Sequence, residues 1–437
     1  MVGCRLNQSE IEGFANIFRA LGHTIVSEPG SADLAIVNTC AVTVKAAADS
    51  RKKLRRAGRE GAQAVLATGC WATLEPQVAL DLPGVTKVIG NDQKDNLVAD
   101  ILGISQDRIA DLEFVREPLP GDRAKTRTFI KVQEGCDNAC TYCLTRLARG
   151  RSHSKRLGDI HRDIHAALAG GAKEIVLTGV QLGAWGREFA QPQSLRDLLV
   201  DILKNQEITR LRLSSIEPWD FDLSVLTLWQ DERLCQHLHI PLQSGSDRIL
   251  RKMERPISVR EYVELIEKIR EKIPDVALTT DVITGFPGET EHDFQATTLL
   301  IESTGFAGGH VFTYSPRPRT AAYNMEAPIA PQIAKTRNAA LRTIFKRTSQ
   351  TYRERFIDKV LPVLWESSFP KEDGAWLLSG LTSNYVRVIA ESKADLWNEI
   401  SQVKLFDHHP QRAALSGWID EDDRRPQLSW SALDVFS

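Results

Sequence analysis

Residues 134–143 read EGCDNACTYC and place Cys136, Cys140 and Cys143 within eight residues, with gaps of three and then two. A disulfide uses two thiols and a structural zinc site normally uses four. Thiolates also hold iron–sulfur cubanes, which have four irons to ligate. Three cysteines would hold three irons and leave the fourth open to a substrate or cofactor. The alternative is a zinc knuckle completed by His153 or a more distant residue, against which the spacing speaks because it is not C-x2-C.

Apolar strand candidates follow one another around this loop: TFIKV, EIVLTG, RLRLSS, HLHIPL, VALTTDVITG and GGHVFTY. The segments between them carry helix signals. Ser258 and Glu261 make a capping-box pattern, and Ile160, Ile164 and Leu168 recur at helical spacing before Gly170–Gly171. Six strand–helix repeats predict an open, partial (β/α)6 TIM-type barrel over residues 122–355. Upstream, DLAIVNTC and AVLATGC each end in a cysteine just past a buried-looking strand, at Cys40 and Cys70. Cys4 precedes the helical pattern SEIEGFANIFRALG, with a strand expected ahead of it either upstream of Met1 or missing. Residues 1–115 therefore read as an open parallel α/β sheet whose strand ends could gather these three thiols. The linker lies in VREPLPGDRAKTR, where Pro118, Pro120 and Gly121 break the pattern. A charged helix from Lys335 to about Val360 leads into short strands that predict a small β-barrel over 358–437.

The composition is that of an ordinary globular chain: 437 residues, 42% hydrophobic, 26% charged and net charge −2. There is no global positive field to attract nucleic acid, so any RNA contact must be local. No run of eighteen apolar residues occurs, which predicts no membrane span and a cytoplasmic location where clustered thiols bind metal or do chemistry.

The cysteine spacing after the first strand of a (β/α) series resembles the signature of radical S-adenosylmethionine enzymes. That resemblance implies a [4Fe–4S] cluster on Cys136, Cys140 and Cys143, with S-adenosylmethionine chelated at the open iron and cleaved to a 5′-deoxyadenosyl radical. It also places Gln181, Ser214, Ser215 and Glu217 near the cofactor, and Gly285 on a strand whose backbone approaches the adenine. GCRLNQSE, VNTCAVT, ATGCWA and GCDNACTYCLTRLARGRSHSK together resemble the methylthiotransferase family, and GLTSNYVRV resembles its RNA-binding TRAM domain. This second resemblance covers essentially the whole chain. It implies a second [4Fe–4S] cluster on Cys4, Cys40 and Cys70 that carries the sulfur, and a one-electron reductant such as flavodoxin or ferredoxin.

The family has two tRNA-modifying branches and one acting on ribosomal protein S12. Arg5–Leu6–Asn7 and ARGRSHSK look closest to the branch that acts on N6-threonylcarbamoyladenosine 37 of tRNA. Local basic runs agree, in SRKKLRRAGRE and around Arg149, Arg151 and Lys155, with Tyr385 and Arg387 as contacts in the terminal domain. The acidic stretch IDEDDRRP would weaken such binding. Two other readings stand beside this one: β-methylthiolation of an S12 aspartate, and a non-catalytic iron–sulfur RNA-binding redox sensor.

Overall fold

The computed structural model describes residues 2–110, 112–119 and 126–419, without the side chain of Ala110. Pro120 and Gly121 of the linker and nearly all of IDEDDRRP fall outside that range. The chain opens on helix α1 (Arg5–Ala20), capped by Cys4. Strand β1 (Leu34–Thr39) runs parallel to β2 (Ala64–Gly69), with Leu34 opposite Ala64 and Thr39 opposite Gly69. Helix α2 (Val44–Arg59) connects them, and its Thr43 cap accepts from the Ala46 amide. The short α3 (Cys70–Leu74) follows β2 directly. A third parallel strand, β3 (Val85–Ile89), was not expected; only Ile89 of its five residues is buried, so it lacks a continuous apolar run.

The central unit has the six expected strands in chain order. β4 (Arg127–Lys131), β5 (Glu174–Thr178) and β6 (Arg210–Leu213) form one parallel sheet. β7 (His237–His239), β8 (Ala277–Thr284) and β9 (Gly308–Thr313) form another. Isolated parallel bridges Leu211–Leu234 and Ser215–His239 join the two into an open barrel. Its outer core packs Ile130, Ile175, Leu177, Leu211, Leu238 and Leu278 beneath the helices. The expected capping box at Ser258 and Glu261 is present. The crossover between β6 and β7 differs: Leu223–Gln230 is a 3-10 helix. Ser224, Val225 and Thr227 are weak helix formers, and eight residues are too few to overcome that.

The long helix Pro331–Glu354 leads to five strands, β10 (Val360–Pro370), β11 (Trp376–Thr382), β12 (Arg387–Ser392), β13 (Ile400–His408) and β14 (Leu415–Ile419). They close into the expected small barrel in the order β10-β11-β12-β14-β13. This barrel docks on the amino-terminal ends of the parallel strands. Arg210 and Arg212 donate to the Leu381 and Ser383 carbonyls at 2.9 and 3.1 Å, and Arg127 pairs with Glu366. The amino-terminal domain sits at the barrel's other open side, where Ser9 Oγ accepts the Lys131 amide at 3.2 Å.

Candidate iron–sulfur and cofactor site

The cysteine loop leaves β4 at the carboxyl end of the parallel strands, where (β/α) barrels carry their chemistry. Gly135 makes the turn. Its φ of +70° suits glycine, and a Cβ there would run into the Arg151 carbonyl. The loop is then fastened by backbone bonds from Cys136 N to Gly150 O, Thr141 N to Met253 O and Ala322 N to Thr141 O. Cys136 and Cys140 are half-buried and Cys143 is exposed. Burial pushes the Cys136 thiol up to about 12. Burial likewise lifts Cys140 to about 11, opposed by Arg255 and helped by Glu217. Any metal that takes these groups as thiolates must therefore displace protons.

The cysteines of the second set stand at the ends of neighbouring elements. Cys4 caps α1, Cys40 follows β1, and Cys70 opens α3. Burial raises Cys40 to about 11, with Cys70 and Cys4 as neighbouring negative groups. The helix Thr145–Arg149, designated α4, follows the first loop and packs against α3. Burial raises the Cys143 thiol, hydrogen bonds with Thr145 oppose the rise, and Glu217 and then Cys70 add to it. The two cysteine regions meet at Arg149 on α4, whose Nε donates to Cys70 Sγ at 3.2 Å.

The donor chemistry fits iron–sulfur clusters. Among the described residues no three His, Cys, Asp or Glu side chains converge on one ion. The donors that the two cysteine regions offer are soft thiolates, the ligand type that iron–sulfur clusters take. The surroundings also fit a polar cofactor. Ser214 Oγ is buried without a hydrogen-bond partner at the end of β6. Glu217 is held by Arg255 Nη2 at 2.8 Å, and Arg255 is itself buried over the Trp219 ring. Arg255 was not foreseen; it lies in an unmarked turn 112 residues after Cys143, paired with residues distant in sequence.

Three expected site residues have neighbours within the protein. Gln181 is buried, accepts the Asp137 amide at 3.0 Å and donates to Asp220 at 2.9 Å, so it braces the cysteine loop. Changing Gln181→Leu strands both partners, a loss of about 1–3 kcal/mol. The expected outcome is faster iron loss under chelator challenge, read by iron content against time. Gly285 does have a positive φ, but its open side meets Ala334 of the Pro331–Glu354 helix, where a Cβ would clash. Ser215 bridges to His239 in the sheet.

The RNA candidates divide in the same way. Arg149 is buried and ion-paired to Glu10 at 2.9 Å and to Glu134, so it cannot reach a phosphate. Lys155 pairs with Asp163 at 2.7 Å, and Arg387 pairs with Glu366. Tyr385 stacks on His237 at 4.1 Å and lies under Arg212, which commits one ring face to the domain junction. Arg151 is exposed, as are Lys52, Lys53, Arg55 and Arg56 on α2. A groove of about 1000 Å³ lined by Ile11, Phe14, Phe18, Ile36 and Leu102 lies beside β1. None of the six clustered cysteines lines it, so the chemistry is placed by the thiols and not by cavity size.

Comparison with known proteins agrees with this geometry. Residues 130–301 match the Radical SAM superfamily, and residues 1–90 match a family described as Uncharacterized protein family UPF0004. A Thermotoga maritima protein named threonylcarbamoyladenosine tRNA methylthiotransferase MtaB is 38% identical, over 88% of this chain and 89% of its own. The Bacillus subtilis protein of the same name is 31% identical over 93% and 92%. A Clostridium tetani tRNA-2-methylthio-N(6)-dimethylallyladenosine synthase is 29% identical over 92% of each. In fold, the chain resembles TsrM from Kitasatospora setae, a radical S-adenosylmethionine methyltransferase solved with cobalamin and a [4Fe-4S] cluster. The TM-score is 0.52 at 15% identity, over 66% of this chain and 65% of that one. No helix among the described residues is long and apolar enough to cross a membrane. With its cysteine loop at the mouth of a partial barrel and full-length relatives of this kind, the chain belongs to the methylthiotransferase family of the radical S-adenosylmethionine superfamily.

Proposed function

We propose that this protein is a tRNA methylthiotransferase that places a methylthio group on C2 of N6-threonylcarbamoyladenosine 37. The observation that supports the reading is a contact between the two cysteine regions: Arg149, on the helix that follows Cys136, Cys140 and Cys143, donates from Nε to the Cys70 sulfur at 3.2 Å, with Cys4 and Cys40 at neighbouring element ends. The 38% identical relative supplies the substrate class. When bound, one [4Fe–4S] cluster with S-adenosylmethionine would supply a radical, a second cluster would supply sulfur, and another S-adenosylmethionine would supply the methyl group. An aromatic C–H is not acidic enough for a general base, which is why radical chemistry suits it.

The chain's own groups set up the reaction space. Gly135 and Gln181 fix the first loop, Arg255 orients Glu217 beside it, and Ser214 Oγ offers an unpaired polar atom at the strand end. Adjoining cysteine regions would also keep a carbon radical close to its sulfur source, an advantage of proximity. A flavodoxin or ferredoxin would deliver the electron, and the exposed cations of α2 with Arg151 would meet phosphates.

The test is mass spectrometry of tRNA nucleosides from a deletion strain with and without the gene restored. Loss of the methylthio mark from threonylcarbamoyladenosine, recovered on restoration, supports this reading. Loss confined to dimethylallyladenosine reassigns the substrate to the branch of the Clostridium tetani relative, and loss confined to ribosomal protein S12 overturns an RNA substrate.

A further inference from the structure

We propose that Arg149, assisted by Asn91, is a positioning residue that raises the reduction potential of a cluster held by Cys4, Cys40 and Cys70. This inference rests on the two-cluster reading above. Arg149 lies six residues beyond Cys143, on the helix that follows the first loop, yet its Nε donates to the Cys70 sulfur at 3.2 Å. Its remaining nitrogens are already engaged. Nη1 reaches Glu10 Oε1 at 2.9 Å and also Glu134, and Nη2 reaches Asn7 Oδ1 at 2.6 Å. Glu10 is held in turn by Lys94 at 2.6 Å and Asn38 at 2.9 Å. Every one of these side chains is buried. The guanidinium is therefore clamped on three sides with its fourth donor aimed at sulfur.

Two buried carboxylates would satisfy a purely structural arginine. The Nε–H to sulfur contact is weak while Cys70 is a thiol and becomes charge-assisted once Cys70 is a metal-bound thiolate. Asn91 reinforces the same sulfur: its Nδ2 donates to the Ala148 carbonyl at 2.6 Å and lies 3.8 Å from Cys70 Sγ. A buried cation and N–H donors at a ligand sulfur favour the more negative, reduced form of a cluster. Because Arg149 rides on the first loop's helix, the two sites also share one electrostatic element.

The experiment is redox potentiometry followed by electron paramagnetic resonance on the full-length, anaerobically reconstituted protein. The second-cluster signal is assigned as the one missing when Cys4, Cys40 and Cys70 are all changed to Ala. Arg149→Gln should lower its midpoint by at least a tenfold change in the reduced-to-oxidised ratio at fixed potential, which is 59 mV for one electron. Arg149→Lys keeps a cation opposite Glu10 and Glu134 but loses the Nε donor, so a smaller fall in the same direction is expected. It also serves if the glutamine variant loses its iron. An unchanged midpoint in whichever variant keeps its full iron overturns this inference and leaves the two-cluster reading intact. No iron loss in the Cys4, Cys40 and Cys70 variant overturns both.

Discussion

Replacing Cys136, Cys140 and Cys143 together by Ala should lower the iron content of the anaerobic protein from about eight to about four atoms per chain. Production of 5′-deoxyadenosine from S-adenosylmethionine with dithionite should fall to background. The fold should survive, because these thiols are half-buried or exposed and the loop is tied down by backbone bonds to Gly150, Met253 and Ala322. Changing Cys4, Cys40 and Cys70 instead should also remove about four irons. That variant should still cleave S-adenosylmethionine while making no methylthiolated tRNA. A protein in which either triple change removes all the iron would contain one shared centre, and the two-cluster reading would fail. Circular dichroism of each variant separates loss of a cluster from loss of the fold.

Glu174→Leu should be the most damaging single change remote from the cysteines. Glu174 is fully buried, and it accepts from Arg212 Nε at 2.6 Å while pairing with Arg210 Nη2 at 3.0 Å. Both arginines also hold the carboxyl-terminal barrel through the Leu381 and Ser383 carbonyls. Removing the carboxylate leaves two buried guanidinium groups uncompensated, a loss on the order of 3–5 kcal/mol. Limited proteolysis should release the terminal barrel at protease levels that leave the unaltered chain whole. The same pair sets an acid limit. Burial alone would raise the Glu174 carboxyl, but Arg212 and Arg210 hold it down to about 2. A carboxyl depressed on folding stabilises the native state fully above its unfolded pKa of 4.5. That contribution, roughly 3 kcal/mol, is lost as pH falls from there toward 2. A stability profile that is flat between pH 5 and 2.5 would contradict the assignment.

Much of the architecture was legible because it is written in local patterns. Ser258 with Glu261 announced a helix start, and the six apolar runs announced six parallel strands, each of which is present. The cysteine loop was legible for the same reason, being one short contiguous stretch. What local pattern does not carry is pairing across the chain. Arg149 sits in a basic run and reads as a phosphate contact, yet Glu10, its partner 139 residues away, draws it into the interior. Gln181 was placed correctly at a strand end, but its bond to the Asp137 amide depends on where another loop comes to rest. Tyr385 adopts a φ of 64°, uncommon for a bulky residue, in the tight turn where its amide donates to Thr382 O, while its ring packs on His237 and Arg212. Gly285 does sit at a close approach, against Ala334 of the Pro331–Glu354 helix, a neighbour that local pattern does not announce. Strand β3 escaped notice because Thr86 and Lys87 interrupt its apolar character.

The placement of the small barrel has a geometric consequence. Ala277, at the start of β8, packs into that barrel's own core, while Gly285 lies just past the strand's other end, on the side where the cysteine loop leaves β4. Eight residues of extended chain separate them, a span of roughly 25 Å. A single nucleoside cannot touch both ends at once. Any molecule held at both ends at once must span that length.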